Sequence, residues 1–173
     1  MGDAGKRPVD VGVVMGSDSD LATMQKCIDQ LKEFGIAHEV RIMSAHRTPD
    51  VCAEYAASAS RRGLKVIIAA AGMAAALPGV MAAKTTLPVI GVPMASPPLN
   101  GIDAALCIMQ MPPGVPVGCV AIGPAGATNA AILAAQILAL SDEALARTLA
   151  EFKDKQARGV IAKDASLQEK LNA

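Results

Sequence analysis

The sequence predicts a three-layer, doubly wound α/β fold built on a five-stranded parallel sheet, and three observations predict it. Short apolar runs alternate with segments of helical periodicity. The runs are apolar throughout rather than at every second position, as expected of strands covered on both faces. At 173 residues, 52% hydrophobic and 18% charged, the chain is long and apolar enough to bury one substantial core.

Val11 to Met15 is the first apolar run and ends at Gly16. Leu21, Met24, Ile28 and Leu31 then recur at helical spacing until Gly35 supplies a stop. Val40 to Met43 predicts a second strand. Thr48 is placed as an N-cap before Pro49 and Asp50, opening a helix that carries Val51, Tyr55 and Ala59 inward and ends near Gly63. Val66 to Ala71 predicts the third strand, followed by a small-residue helix from about Ala74 to Lys84. Pro88 to Val92 is the fourth strand, and Ile102 to Met111 a helix stopped by Pro112-Pro113-Gly114. Val117 to Ile122 predicts the fifth strand and Asn129 to Leu140 the next helix, with Ser141 capping an extra one. The order βαβαβαβαβα plus one helix fits the flavodoxin-like arrangement, whose ligands sit beyond the carboxyl ends of the strands. A single domain spanning 1–173 is expected, with a core over about 9–150 and a polar helix or tail over 151–173.

Composition removes several function classes. Sixteen basic residues balance sixteen acidic ones, and there is no Trp, one Tyr and two Phe. That leaves neither the basic patch nor the stacking aromatics expected of a nucleic-acid or anionic-membrane partner. Cys27, Cys52, Cys107 and Cys119 are dispersed, which predicts buried small hydrophobes in a reduced compartment rather than disulfides or zinc ligands. The start MGDAGKRPVDVGVV lacks the apolar stretch of a secretory leader. The apolar stretch from Val66 to Ala83 is interrupted by Gly72, Pro78 and Gly79, so no membrane span is expected. A cytoplasmic enzyme is the expectation.

Three loops carry the candidate chemistry. After the first strand, MGSDSD offers Ser17 and Ser19 hydroxyls beside helix amides that favour an anion. Asp20 would repel a phosphate; it either caps the helix or accepts hydrogen bonds from sugar hydroxyls beside one. After the second strand, SAHRTP sets His46, able to exchange a proton near neutral pH, beside Arg47, whose planar fork suits phosphate, with Ser44 nearby. His38 lacks such company and is expected to be ordinary surface. After the third strand, AAAGMAAALPG is either a tightly packed Ala-rich helix or a close backbone approach to a flat ligand. No H-x-x-x-H, H-E-x-x-H or G-x-S-x-G pattern is present, so neither a metal site nor a hydrolase elbow is expected. Proton transfer on a small phosphorylated sugar derivative is what remains. A flavodoxin-like domain that binds such a ligand without chemistry is the alternative.

VVMGSDSDLATM, SAHRTPD, LPGVMAAKTTLPVIGVP, GIDAALCIMQMPPGVPVG and the NAAILAAQILAL helix, in order from about Val11 to Leu149, resemble the PurE family of purine biosynthesis. The resemblance implies N5-carboxyaminoimidazole ribonucleotide mutase activity in a homo-octamer, with neither metal nor organic cofactor. Carried over by motif, it implies that Ser17 and Arg47 hold the 5′-phosphate, with Ser44 and Ala45 beside them, and that Asp20 binds ribose hydroxyls. It makes His46 the general acid and base, with Gly72, Met73, Ala74 and Leu77 lining the base and the CO2 recess. Many of the mutases read GGAAHLPG where this chain reads GMAAALPG, so Ala76 stands where they have a second site histidine. The related carboxylase class, acting on aminoimidazole ribonucleotide and CO2, diverges from SAHRTP and from the LPG stretch.

Overall fold

The computed structural model describes residues 9–172. Five parallel strands lie in the order β2-β1-β3-β4-β5: β1 Val11–Met15, β2 His38–Ile42, β3 Val66–Gly72, β4 Val89–Met94 and β5 Gly118–Cys119. This is the expected order. Between them run α1 Leu21–Glu33, α2 Pro49–Ala59, α3 Leu77–Ala82 and α4 Ile102–Met109; α5 Pro124–Ala139 and α6 Glu143–Leu171 follow the last strand. The chain forms two compact units, the first running to Ala134 and carrying the whole sheet, the second beginning at Ala135.

Alternation along the strands divides the core of the first unit. Val14, Ile67, Ala69, Ala71 and Val89 pack with Cys52, Tyr55, Ala56 and Ala59 of α2, Leu77 and Met81 of α3, and Ala104 and Ile108 of α4. Val13, Met15, Ile68, Ala70, Ile90 and Val92, also buried, point the other way. Small residues allow close approach where helices cross the sheet. A Cβ on Gly12 would overlap the Tyr55 hydroxyl and come within 2.7 Å of Leu64, so β1 must carry glycine for the α2 tyrosine to fit.

Several boundaries and side-chain placements differ from the sequence expectations. The β2 strand begins two residues earlier than expected, at His38. The third helix covers only Leu77–Ala82, because Met73 adopts φ 54 and Ala74–Ala76 form a turn before Pro78 opens the helix. The fifth strand is two residues long, although the Val120 N–H still reaches Gly91 O at 3.1 Å and that of Gly123 reaches Pro93 O at 2.9 Å. The chain thus follows β4 without keeping the full ladder. The next helix starts at Pro124, five residues ahead of the expected Asn129. Val51 and Leu21 are exposed; the inward face of α2 is set by Cys52, Tyr55, Ala56 and Ala59.

Thr48 occupies the N-cap position of α2 but makes no side-chain cap bond, and Asp142 rather than Ser141 caps α6, accepting from Leu145 N at 3.0 Å. Of the cysteines, Cys27 and Cys52 are buried as expected, whereas Cys107 is exposed and Cys119 half-buried; all four are free. In the second unit, α6 runs 29 residues and its last two-thirds are exposed, including Val160, Ile161 and Leu167. No helix among the described residues is long and apolar enough to cross a membrane.

Candidate active site

Strand register brings the candidate loops to one edge. Met15 pairs with Ile42 and with Ala70, and Gly72 pairs with Met94, so β1 to β4 end side by side. A crevice of about 430 Å³ opens there, between the loops that follow these four strands. Since β1 and β3 are the neighbours at which the winding reverses, this is the topological switch point of the sheet.

After β1, Gly16 N bonds Ala70 O at 3.2 Å and the chain enters a single 3-10 turn, Asp18–Asp20. Ser17 caps that turn: its Oγ accepts from Ser19 N at 3.2 Å and from Ser19 Oγ at 2.9 Å. Asp20 stands just before α1 but makes no cap bond with its side chain. Of its two expected roles, helix capping is therefore not used, and the carboxylate lines the crevice.

Burial pushes the Asp20 carboxyl above its usual range and the Asp18 charge adds to this, while bonds from the Ser17 backbone and the Ser19 side chain partly offset it. A carboxyl that holds its proton more tightly when folded loses native stability as pH rises from the unfolded carboxylate range through that raised value. At neutral pH the ionised Asp20 thus costs stability. Asp20→Asn is expected to raise the melting temperature at neutral pH, by an amount that shrinks as the pH is lowered, while weakening ligand binding. Thermal unfolding across pH checks this; a lower melting temperature at neutral pH would contradict it.

After β2, residues 44–48 close on themselves. Ser44 N donates to Thr48 Oγ1 and Thr48 Oγ1 donates to Ser44 O, both at 3.0 Å; Thr48 N reaches Ser44 O at 2.8 Å, and Arg47 N reaches Ser44 Oγ at 3.2 Å. Thr48 therefore locks the turn instead of capping the helix. The lock presents His46 and Arg47, both exposed, to the crevice, and among the described residues neither side chain has a hydrogen-bond or ion-pair partner. An unpaired guanidinium beside serine hydroxyls is suited to an incoming anion. His38, by contrast, lies at the amino end of β2 with Nδ1 2.9 Å from Ile36 O, away from this edge.

After β3, Gly72, Met73 and Ala74 line the crevice, as do Ala45 and Leu77, the latter 2% exposed. Every candidate site residue named from the sequence thus lines one cavity, and Ala76 lines it as well. Sequence reasoning misses Ser96, contributed by the loop after β4. Its Oγ would sit 3.0 Å from a Cβ on Gly72, so the glycine makes room for it. The strand-end rule selects that loop, and Ser96 and Asn100 are the polar side chains it offers. Among the described residues no group of three His, Cys, Asp or Glu side chains could hold a metal ion.

Comparison with known proteins places this geometry among relatives. A family model described as AIR carboxylase matches residues 10–159. The N5-carboxyaminoimidazole ribonucleotide mutase of Bacillus subtilis is 56% identical over 87% of this chain and 93% of its own. That of Vibrio parahaemolyticus is 53% identical over 88% and 94%. Among solved structures, the crystal structure of Treponema denticola PurE superposes with a TM-score of 0.81 at 30% identity, covering 93% of this chain and 99% of that one.

Proposed function

The chain belongs to the AIR carboxylase family, and from that premise we propose that it is an N5-carboxyaminoimidazole ribonucleotide mutase of purine biosynthesis. The observation that carries the proposal is the convergence of His46, Arg47, Ser17 and Asp20 on one crevice, in a chain more than half identical to proteins of that name. Each group matches a part of such a substrate. Arg47 and Ser17 take the phosphate, with Ser44 and Ala45 beside them, and Asp20, freed from capping, accepts from ribose hydroxyls. The sheet-end backbone at Gly72 and Ala74, over Leu77, receives the flat imidazole.

His46 is the titratable group in this crevice placed to move protons. The N5–carboxylate bond breaks, CO2 departs without the bonding electrons, and N5 gains a proton from His46. The C4 carbon then attacks the retained CO2, and its proton returns to His46. The sum is an isomerisation that consumes no co-reactant. Its rate advantage comes from holding CO2 against C4, and Ala76 leaves the proton work to His46.

The family description also admits direct carboxylation of aminoimidazole ribonucleotide. The mutase reading is preferred because the relatives that are more than 50% identical carry the mutase name. Turnover of N5-carboxyaminoimidazole ribonucleotide by purified protein with bicarbonate withheld tests the choice, since a mutase supports it and a carboxylase does not. We assign the enzyme to the cytoplasm as a homo-octamer. In support of self-association, α4 presents Ile102, Leu106 and Met109 to solvent at helical spacing, each 48–59% exposed.

A further inference from the structure

We infer that Ser96 is a specificity-determining residue of the crevice, its hydroxyl donating to the carboxylate that sets substrate and product apart from the decarboxylated ribonucleotide. The inference rests on the mutase reading. A serine in a loop ordinarily bonds nearby backbone with its hydroxyl. Ser96 is half-buried in the loop after β4, yet among the described residues its hydroxyl has no hydrogen-bond partner. The other serines of the crevice are engaged. Ser17 Oγ donates to Asp18 Oδ1 at 3.1 Å, Ser19 Oγ donates to Ser17 Oγ at 2.9 Å, and Ser44 Oγ accepts from Arg47 N at 3.2 Å. Ser96 is therefore the crevice hydroxyl whose whole hydrogen-bonding capacity is open to a ligand.

Its surroundings select the group it meets. Gly72 is not among the glycines of positive φ, so its backbone does not require glycine. A Cβ there would come within 3.0 Å of Ser96 Oγ and 3.4 Å of Met94 Cβ, so the missing side chain leaves the hydroxyl its place beside the end of β3. The sheet order β2-β1-β3-β4 sets the loops that carry Arg47, Ser17 and Asp20 on one side of β3 and the loop of Ser96 on the other. A ribonucleotide with its phosphate at Arg47 and Ser17 extends its imidazole towards Gly72 and Ser96. On that side the lining is Ala71, Gly72, Met73, Ala74, Ala76 and Leu77, and Ser96 brings the one side-chain hydrogen-bond donor. A carboxylate entering so apolar a lining needs a donor. It hangs from N5 before the transfer and from the neighbouring C4 after it, so one hydroxyl at this edge of the ring serves both.

Calorimetric titration of the purified protein compares 4-carboxyaminoimidazole ribonucleotide with aminoimidazole ribonucleotide, which share phosphate, ribose and ring and differ by the carboxylate. Ser96→Ala is expected to weaken the carboxylated ligand about tenfold, the loss of one hydrogen bond to a charged group, and to leave the other within about twofold of the parent. Its melting temperature should stay near the parent's, since the hydroxyl makes no bond within the fold. A change that merely loosened the loop would weaken both ligands together. Equal affinity of parent and Ser96→Ala for the carboxylated ligand would overturn the inference, and so would an equal loss on both ligands. If the parent does not convert N5-carboxyaminoimidazole ribonucleotide, it is the mutase reading that fails.

Discussion

Replacing His46 with Asn is expected to lower kcat by between about 10² and 10⁴-fold, about 3–5 kcal/mol of transition-state stabilisation, with substrate affinity nearly unchanged. Asparagine can still hydrogen-bond at this position but cannot carry a proton between N5 and C4. The effect is confined to chemistry because the imidazole supports nothing structural. The turn is held by the Ser44–Thr48 bonds, and His46 is exposed and unpartnered among the described residues. Steady-state kinetics alongside calorimetric titration separates the two quantities. A kcat within a few-fold of the parent's would remove His46 from the mechanism. His38→Asn serves as the comparison and should leave kcat unaltered, since its ring bonds a backbone carbonyl at the amino end of β2.

Arg47→Ala is expected to act on binding. Hydrogen bonds to a charged group are worth about 1.5–3 kcal/mol each, so losing the guanidinium should weaken substrate roughly 10- to 150-fold for one bond and more for a bidentate grip. Arg47→Lys should recover part of the loss, because it restores the charge but not the planar fork. Exposure adds a signature. The parent's Kd should rise with ionic strength, and that dependence should flatten in Arg47→Ala. Titrations at low and high salt check both statements. Equal affinity in parent and Arg47→Ala would place the phosphate elsewhere.

Much of the fold is legible in the amino-acid sequence, and what escapes it does so for particular physical reasons. Strand β1 is readable to the residue because the run Val11 to Met15, free of polar side chains, ends at a second glycine, Gly16. Gly118–Cys119 reads as a longer strand because the apolar residues after it follow β4 with only occasional hydrogen bonds, which composition cannot distinguish from a ladder. The start of α3 is hidden because a run of Ala and Met has no periodicity to mark it. The useful signal is Pro78, which suits a first helical turn and disfavours helix before it.

At the site, side chains with distinctive chemistry announce themselves, as His46 and Arg47 do. Conformation does not. Nothing in GMAAALPG tells that Met73 is left-handed, and nothing in MGSDSD tells that Asp20 leaves the helix uncapped. Ser96 escapes notice because it is a single hydroxyl in a Pro-rich loop. It becomes a lining group only through the pairing of Gly72 with Met94.

The most direct measurement supplies purified protein with N5-carboxyaminoimidazole ribonucleotide, or with aminoimidazole ribonucleotide, under depleted bicarbonate, and follows 4-carboxyaminoimidazole ribonucleotide. Rapid product from the first substrate and none from the second is the predicted result. Product from aminoimidazole ribonucleotide that scales with added bicarbonate, with none from the N5-carboxylated substrate, would contradict it and make the protein a carboxylase.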